Sequence, residues 1–135
     1  MFNKRLTGTG AILLLLTACI AEGRYEKAEN AQDAGREFIR ASLDGDYKKA
    51  RFYLLEDSTN LLLMQQQQKH YGQLSSEERI NHMQSSIRPL DIHKVNDSVT
   101  TYKYLNTYNP LDTTTITIVR VDGEWLVDLK SILEP

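Results

Sequence analysis

Apolar residues recur every three or four positions along the first half of the chain, which is the spacing of one face of a helix. The first stripe consists of Ala31, Ala34, Phe38, Ile39, Ala41 or Ser42, and Leu43. Gly45 can adopt the left-handed conformation that ends a helix, and Asp46 can cap the next one. We therefore predict a first helix that ends at residues 44–45 and a second helix directly after it. The predicted buried side of the second helix consists of Tyr47, Ala50, Tyr53 and Leu54.

A third helix is predicted after residues 58–59, where a serine and a threonine can serve as the N-cap. We expect this helix to end near Gly72. Its apolar residues are Leu61, Leu62, Met64 and Tyr71.

A fourth, short helix is predicted to begin after Ser75, because Ser75 and Glu78 have the spacing of a capping box. Its apolar residues are Ile80, Met83 and Ile87. Pro89 disfavours a helical conformation in the residue before it, so we expect the helix to end there.

After Pro89 the pattern changes to alternation between apolar and polar residues, which predicts strands. The predicted strands are residues 90–95, 99–108, 113–121 and 124–131. Residues 96–98 predict a turn, and Asp122-Gly123 is a strong hairpin signal. The expected cross-strand pairs are Val95–Val99, Ile92–Tyr102, Leu90–Tyr104, Val121–Glu124, Arg120–Trp125, Ile118–Val127 and Ile116–Leu129. One sheet face would then be apolar, formed by Ile116, Ile118, Trp125, Val127 and Leu129.

Helices followed by an antiparallel meander predict an α+β domain in which the N-terminal helices pack on a curved C-terminal sheet. The segments Gly45-Asp46-Tyr47 and Gly123-Glu124-Trp125, followed by Ala50 and Val127, resemble the superfamily named for nuclear transport factor 2. Within that superfamily, the chain is most similar to small bacterial lipoproteins of unknown function. The resemblance implies a cone-like, cystatin-like fold, often with an internal pocket, and dimerisation through the sheet.

The N-terminal segment predicts where the protein is located. Lys4 and Arg5 precede the apolar run 11–16, and Leu16-Thr17-Ala18-Cys19 resembles the lipobox of bacterial lipoproteins. The resemblance implies cleavage between Ala18 and Cys19 and lipidation of Cys19. The run is too short for a membrane-spanning helix, which needs roughly 20 apolar residues. A secreted protein would leave Cys19, the only cysteine, without a disulfide partner.

These features divide the chain into a signal peptide at 1–18, a lipidated tether at 19–25 and one α+β domain at 26–135. Ile20 follows the cysteine, and the absence of aspartate there favours the outer membrane, with the domain facing the periplasm or exposed at the cell surface. Removing Lys4 and Arg5 leaves 14 basic residues beside 18 acidic ones, a net charge of −4. This balance argues against a nucleic-acid partner, which requires a basic surface.

No motif in the sequence predicts catalysis, a cofactor or a metal site. The three histidines His70, His82 and His93 lie on separate predicted elements without the spacing of zinc ligands. Glycine-rich phosphate loops and nucleophile elbows are absent. No catalytic residue of the superfamily can be matched in this sequence.

Three hypotheses about function follow. The first is a membrane-tethered, non-enzymatic domain that binds a small apolar or aromatic ligand, or a protein, including a second copy through the sheet. The candidate pocket residues are Tyr102, Tyr104, Arg120 and Trp125, with a cation–π contact expected between the last two. The second is an isomerase-like or cyclase-like enzyme with Asp91 or Asp128 as a buried base. The third is a passive structural lipoprotein with a filled core.

Overall fold

The computed structural model describes residues 25–133 of the 135-residue chain. Four helices come first: α1 (Ala31–Asp44), α2 (Tyr47–Phe52), α3 (Ser58–Gly72) and α4 (Ser76–Gln84). Four strands follow: β1 (Ile87–Asn96), β2 (Val99–Asn106), β3 (Thr113–Val121) and β4 (Glu124–Asp128). A 3₁₀ helix, η1 (Leu129–Leu133), ends the described chain. The strands form one antiparallel sheet in the order β1-β2-β3-β4, which confirms the predicted α+β class with a curled sheet.

Helix α1 begins and ends where its sequence predicts. Its N-cap Asn30 accepts a hydrogen bond from the Asp33 amide, and Gly45 ends it with a φ of 72°. That positive φ is strained for residues with a side chain, and it lets the chain reverse into α2. The predicted apolar stripe is buried from Ala31 to Leu43, except for half-buried Ser42.

Small residues bring α1 close to the sheet. Gly35 is buried, and a Cβ atom placed on it would lie 3.2 Å from Cδ1 of Ile118 and 3.5 Å from the ring of Tyr102. The space between this part of α1 and the sheet is therefore filled by close-packed side chains. The rest of the core includes Phe38, Leu54 and Val127, which are at most 4% exposed.

The two edges of the sheet differ. At β4, the chain after α2 adds a short parallel bridge: the Val127 amide donates to the Tyr53 carbonyl at 2.7 Å, and the Leu55 amide donates to the Val127 carbonyl at 2.8 Å. At β1, no further strand pairs along the edge within residues 25–133. Two register shifts interrupt β1, near Pro89 and near Asn96. Such bulges and prolines protect an edge from pairing with another chain.

Most of the predicted strand register is confirmed. The pairs Ile92–Tyr102, Val121–Glu124, Arg120–Trp125 and Ile118–Val127 are present. Tyr104 faces Pro89 instead of Leu90, and Val99 faces Asn96 instead of Val95, because each shift moves the pairing by one residue. The pair Ile116–Leu129 does not form in the sheet, because β4 ends at Asp128 and Leu129 begins the 3₁₀ helix.

The ends of two helices also differ from the prediction. Asp57, not Ser58 or Thr59, caps α3 by accepting from the Asn60 amide. Helix α4 keeps its capping box but stops at Gln84, and Ile87 begins β1. Pro89 is tolerated inside β1 because this is an edge strand, where a missing amide donor need not break a ladder.

Candidate functional site

A cavity of about 450 Å³ lies where the C-terminal end of α1 meets α3, α4 and η1. We call it the end cavity. Its apolar lining consists of Leu43, Leu63, Leu74, Leu129, Ile132 and Leu133. Its polar and aromatic lining consists of Ser42, Tyr47, Gln66, Gln67, His70, Tyr71, His82 and Asn106. The lining contains no aspartate, glutamate, lysine or arginine, so the cavity carries no formal charge when its histidines are neutral.

Aromatic rings from α2, α3 and α4 form one wall of the end cavity. The centroids of Tyr47 and Tyr71 lie 5.9 Å apart, and those of Tyr71 and His82 lie 6.3 Å apart, both in edge-to-face geometry. The His82 ring lies 4.7 Å from that of Tyr108, in the loop after β2. Aromatic rings are favourable partners for apolar and aromatic ligands, so this wall suits such a ligand.

Two hydrogen bonds fix polar groups of this wall. The Tyr47 hydroxyl donates to the Gln67 carbonyl at 3.3 Å, and burial raises the pKa of Tyr47 to about 12. Nδ1 of His82 lies 2.7 Å from the Glu78 carbonyl oxygen. Because a carbonyl only accepts, Nδ1 carries the hydrogen of this bond. Nε2 makes no hydrogen bond within residues 25–133.

The turn between α1 and α2 shapes the same wall. A Cβ atom on Gly45 would lie 2.5 Å from Cε1 of Tyr71, closer than real side chains approach. Glycine at this position therefore serves two purposes: it adopts the positive φ of the cap and leaves room for the Tyr71 ring.

A buried asparagine joins α3 to η1. Asn60 is 0% exposed. Its amide nitrogen donates to the Leu55 carbonyl at 2.9 Å and to Asp128 at 3.1 Å, and its oxygen accepts from the Lys130 amide at 2.7 Å. These bonds position Leu129 and the rest of η1 against α3, as the shape of the cavity requires.

A second depression, of about 850 Å³, lies between α2 and α3. Lys48, Arg51 and two of the glutamines line it, together with Leu62, which is 53% exposed. We favour the end cavity as the ligand site because its lining is mainly apolar and aromatic, which is typical of small-molecule sites.

The four pocket residues suggested by the sequence do not line the end cavity. Tyr102 is 1% exposed in the core beneath α1 and also borders a shallow cleft. The ring centroids of Tyr102 and Tyr104 lie 5.9 Å apart, and burial raises the pKa of Tyr104 to about 12. Arg120 lies 5.6 Å from the Trp125 ring centroid, which confirms the expected cation–π contact. That a ligand contacts these four residues stays a prediction.

Neither candidate base has the placement that the enzyme hypothesis requires. Asp91 is exposed on β1. Asp128 is half-buried, but Nζ of Lys130 lies 2.7 Å from its carboxylate and the Asn60 amide also donates to it. Asp128 is therefore held in an ion pair, and neither carboxylate lies in a cavity without a cationic partner, as the enzyme hypothesis requires.

The histidines are divided between two regions. His70 and His82 line the end cavity, whereas His93 is exposed on β1. Among residues 25–133, no group of three histidine, cysteine, aspartate or glutamate side chains is close enough to hold a metal ion.

The end cavity was not predicted from the sequence. Its residues come from the ends of separate helices, from η1 and from the end of β2, so no local motif contains them. The only weak signal was that tyrosines and histidines lie near predicted helix ends.

Ala18 and Cys19, the predicted cleavage and lipidation sites, lie outside the described residues. Within residues 25–133, none of the helices has the length and hydropathy needed to cross a bilayer. A scan against protein-family models finds no match for this chain, and a search of the curated proteins finds none either.

Proposed function

We propose that this protein is a lipid-anchored domain of the bacterial cell envelope that binds a small apolar or aromatic ligand without catalysing a reaction. The observation that carries the binding function is the end cavity. Its volume of about 450 Å³ falls within the usual range of small-molecule sites, roughly 300–1,000 Å³. The anchor rests on the lipobox-like segment Leu16-Thr17-Ala18-Cys19.

The lining indicates what kind of ligand would fit. Leucine and isoleucine side chains and the rings of Tyr47 and Tyr71 favour an apolar or aromatic body. The absence of acidic and basic lining residues disfavours a strongly charged ligand, because removing a charge from water is costly without a partner. Nε2 of His82 and the side chain of Asn106 can hydrogen-bond one or two polar groups.

We do not propose the isomerase-like or cyclase-like alternative as the function. It needs a carboxylate that is buried in a cavity without a cation, and neither Asp91 nor Asp128 has that placement. The predicted homodimer stays a prediction, and the bulges and proline of β1 disfavour pairing through that edge.

The binding function can be tested with N-phenyl-1-naphthylamine, a neutral aromatic dye that fluoresces strongly in apolar surroundings. The protein used would be residues 20–135, because every buried apolar residue of the described chain lies between Ala31 and Leu129. Circular dichroism would confirm that this form is folded. We expect saturable binding near one dye molecule per protein.

A matched pair of variants on α3 locates the dye. Gln67→Trp adds a large ring to the lining of the end cavity, whereas Gln65→Trp adds it at an exposed neighbour that does not line this cavity. We expect Gln67→Trp to weaken dye binding about tenfold or more, equivalent to roughly 1.4 kcal/mol, and Gln65→Trp to leave it unchanged. Absence of saturable binding, or equal effects of both variants, would contradict the proposal.

A further inference from the structure

The first described residues, Tyr25 and Glu26, pack against the end of α2 at one end of the domain. The Tyr53 hydroxyl donates to the Glu26 carbonyl at 2.7 Å, which holds the segment before α1 against the end of α2. The rings of Tyr25 and Phe52 lie 5.5 Å apart, and those of Phe52 and Tyr53 lie 5.0 Å apart. We call this region, formed by Tyr25, Glu26, Phe52 and Tyr53, the anchor end.

The end cavity lies at the other end of α1. Ser42 and Leu43, in the last turn of this helix, line the cavity, whereas Asn30, just after the anchor end, caps its first turn. A helix of 14 residues is about 20 Å long, so Ser42 and Leu43 lie roughly that far from Asn30. The nearest lining residue is Tyr47, which begins α2 and lies about 8 Å along that helix from Phe52. The loop after β2 belongs to the cavity end, since Tyr108 contacts His82 there.

The predicted lipid site is close to the anchor end along the chain. Cys19 precedes Tyr25 by only six residues, and a chain of that length spans at most about 20 Å. If Cys19 is lipidated, as proposed above, its acyl chains must enter the bilayer within that distance of Tyr25. The tether therefore holds the anchor end, more than any other part of the domain, close to the bilayer.

The surface of the anchor end suits a lipid interface. Phe52 is 36% exposed, and Tyr25 is half-buried beside it. Aromatic side chains favour the headgroup region of a bilayer. Two of the cations nearby are paired, Lys27 with Glu124 at 2.7 Å and Arg51 with Glu56 at 3.0 Å. Lys48, one helical turn before Phe52, forms no ion pair within the described residues.

We infer that the anchor end lies against the membrane that holds the lipidated Cys19, and that the end cavity faces the aqueous compartment. The aromatic pair Tyr25–Phe52 sits at the bilayer surface. The ligand of the end cavity therefore enters from solution, or from a carrier in solution, and not from the bilayer beneath the domain. This inference rests on the lipid anchor of the proposed function.

The orientation can be measured with a fluorescent nitrobenzoxadiazole label on an introduced cysteine. Cys19 is the only native cysteine, and lipidation consumes its thiol, so one introduced cysteine is labelled alone. The full chain would be expressed with its signal segment in a bacterial host, and the mass of the intact protein would report the lipid. Glu26→Cys places the label at the anchor end, and Leu111→Cys, at a residue that is 96% exposed, places it in the loop after β2.

The labelled proteins would be incorporated into phosphatidylcholine vesicles that contain nitroxide-bearing lipids, which quench nearby fluorophores. We expect the label at position 26 to lose about half of its emission and the label at 111 about a tenth or less, because interfacial burial reaches only roughly 5–10 Å. Adding Phe52→Ser to Glu26→Cys should reduce the quenching.

Each outcome bears on one part of the proposal. Stronger quenching at 26 than at 111, reduced by Phe52→Ser, supports the orientation. Equal quenching at both positions, or none at either, overturns the orientation while the measured lipid mass leaves the anchor intact. An unmodified Cys19 overturns the anchor and the orientation together, and dye binding by residues 20–135 then tests the end cavity independently.

Discussion

Replacing Asn60 with alanine removes the hydrogen-bonding centre between α3 and η1. The Lys130 amide loses its partner at 2.7 Å, and the Leu55 carbonyl loses one of two donors but keeps the Asp57 amide at 3.1 Å. Each unsatisfied group in a buried position costs about 1–3 kcal/mol. Asp128 loses the hydrogen bond from the Asn60 amide but keeps the Lys130 ammonium at 2.7 Å, so the loss at Asp128 costs less free energy. Alanine recovers up to about 0.7 kcal/mol of helix propensity, which leaves an expected loss of roughly 1–3 kcal/mol.

Urea unfolding followed by circular dichroism measures this loss. Asn81→Ala is the matched control, because Asn81 is exposed on α4 and makes no side-chain hydrogen bond within the described residues. We expect the control to change the free energy of unfolding by less than about 0.5 kcal/mol. A lower midpoint with an unchanged slope would show that Asn60→Ala weakens the native state.

The variant should also weaken dye binding, because Leu129, Ile132 and Leu133 of η1 line the end cavity. A stability loss below about 1 kcal/mol, or one equal to that of Asn81→Ala, would refute the reasoning that Asn60 satisfies the otherwise unpaired Lys130 amide. Normal dye binding by a destabilised but folded Asn60→Ala protein would refute its role in positioning η1.

Three further predictions concern turns, caps and charge. Gly45→Ala combines a positive φ of 72° with a Cβ only 2.5 Å from Tyr71, so it should lower the unfolding free energy by more than about 1 kcal/mol in urea titration. Ser75→Ala removes one bond of the capping box and should cost about 1 kcal/mol, measured as a lower thermal midpoint. The Lys130 ammonium lowers the pKa of Asp57 below 3.8, so the contribution of this carboxylate to stability is complete above pH 3.8 and is lost as the pH falls through the lowered pKa. Asp57→Asn should reduce that acid-dependent loss, and an unchanged pH profile of the unfolding midpoint would contradict this assignment.

Elements whose signals are local could be predicted from the sequence. Gly45, Asp46 and Ser75 each act at a helix end where backbone groups need a partner, and each has the predicted role. Counting outward from the Asp122-Gly123 turn predicts the residue pairs between β3 and β4, and the pairs from Val121–Glu124 to Ile118–Val127 are confirmed.

Features that depend on distant contacts could not be predicted in this way. The shifts in β1 displace two expected pairs, and no residue pattern distinguishes a bulge from a regular strand there. Leu129 continues the alternating pattern of β4, yet it begins η1, where the Lys130 amide bonds to Asn60 from a helix 70 residues earlier. The η1 residues that line the end cavity are held by this same long-range contact. The sequence therefore carries no local signal for the cavity, and its alternation pointed to the tyrosines of the sheet instead.

Native mass spectrometry of gently purified residues 20–135 tests most directly whether the end cavity binds a ligand. We expect a mass excess that disappears on denaturation, persists in Gln65→Trp and is absent or strongly reduced in Gln67→Trp. If no mass excess is found and the added dye N-phenyl-1-naphthylamine forms no complex, the central claim is contradicted. An excess that is identical in both variants would contradict the assignment of the ligand to the end cavity.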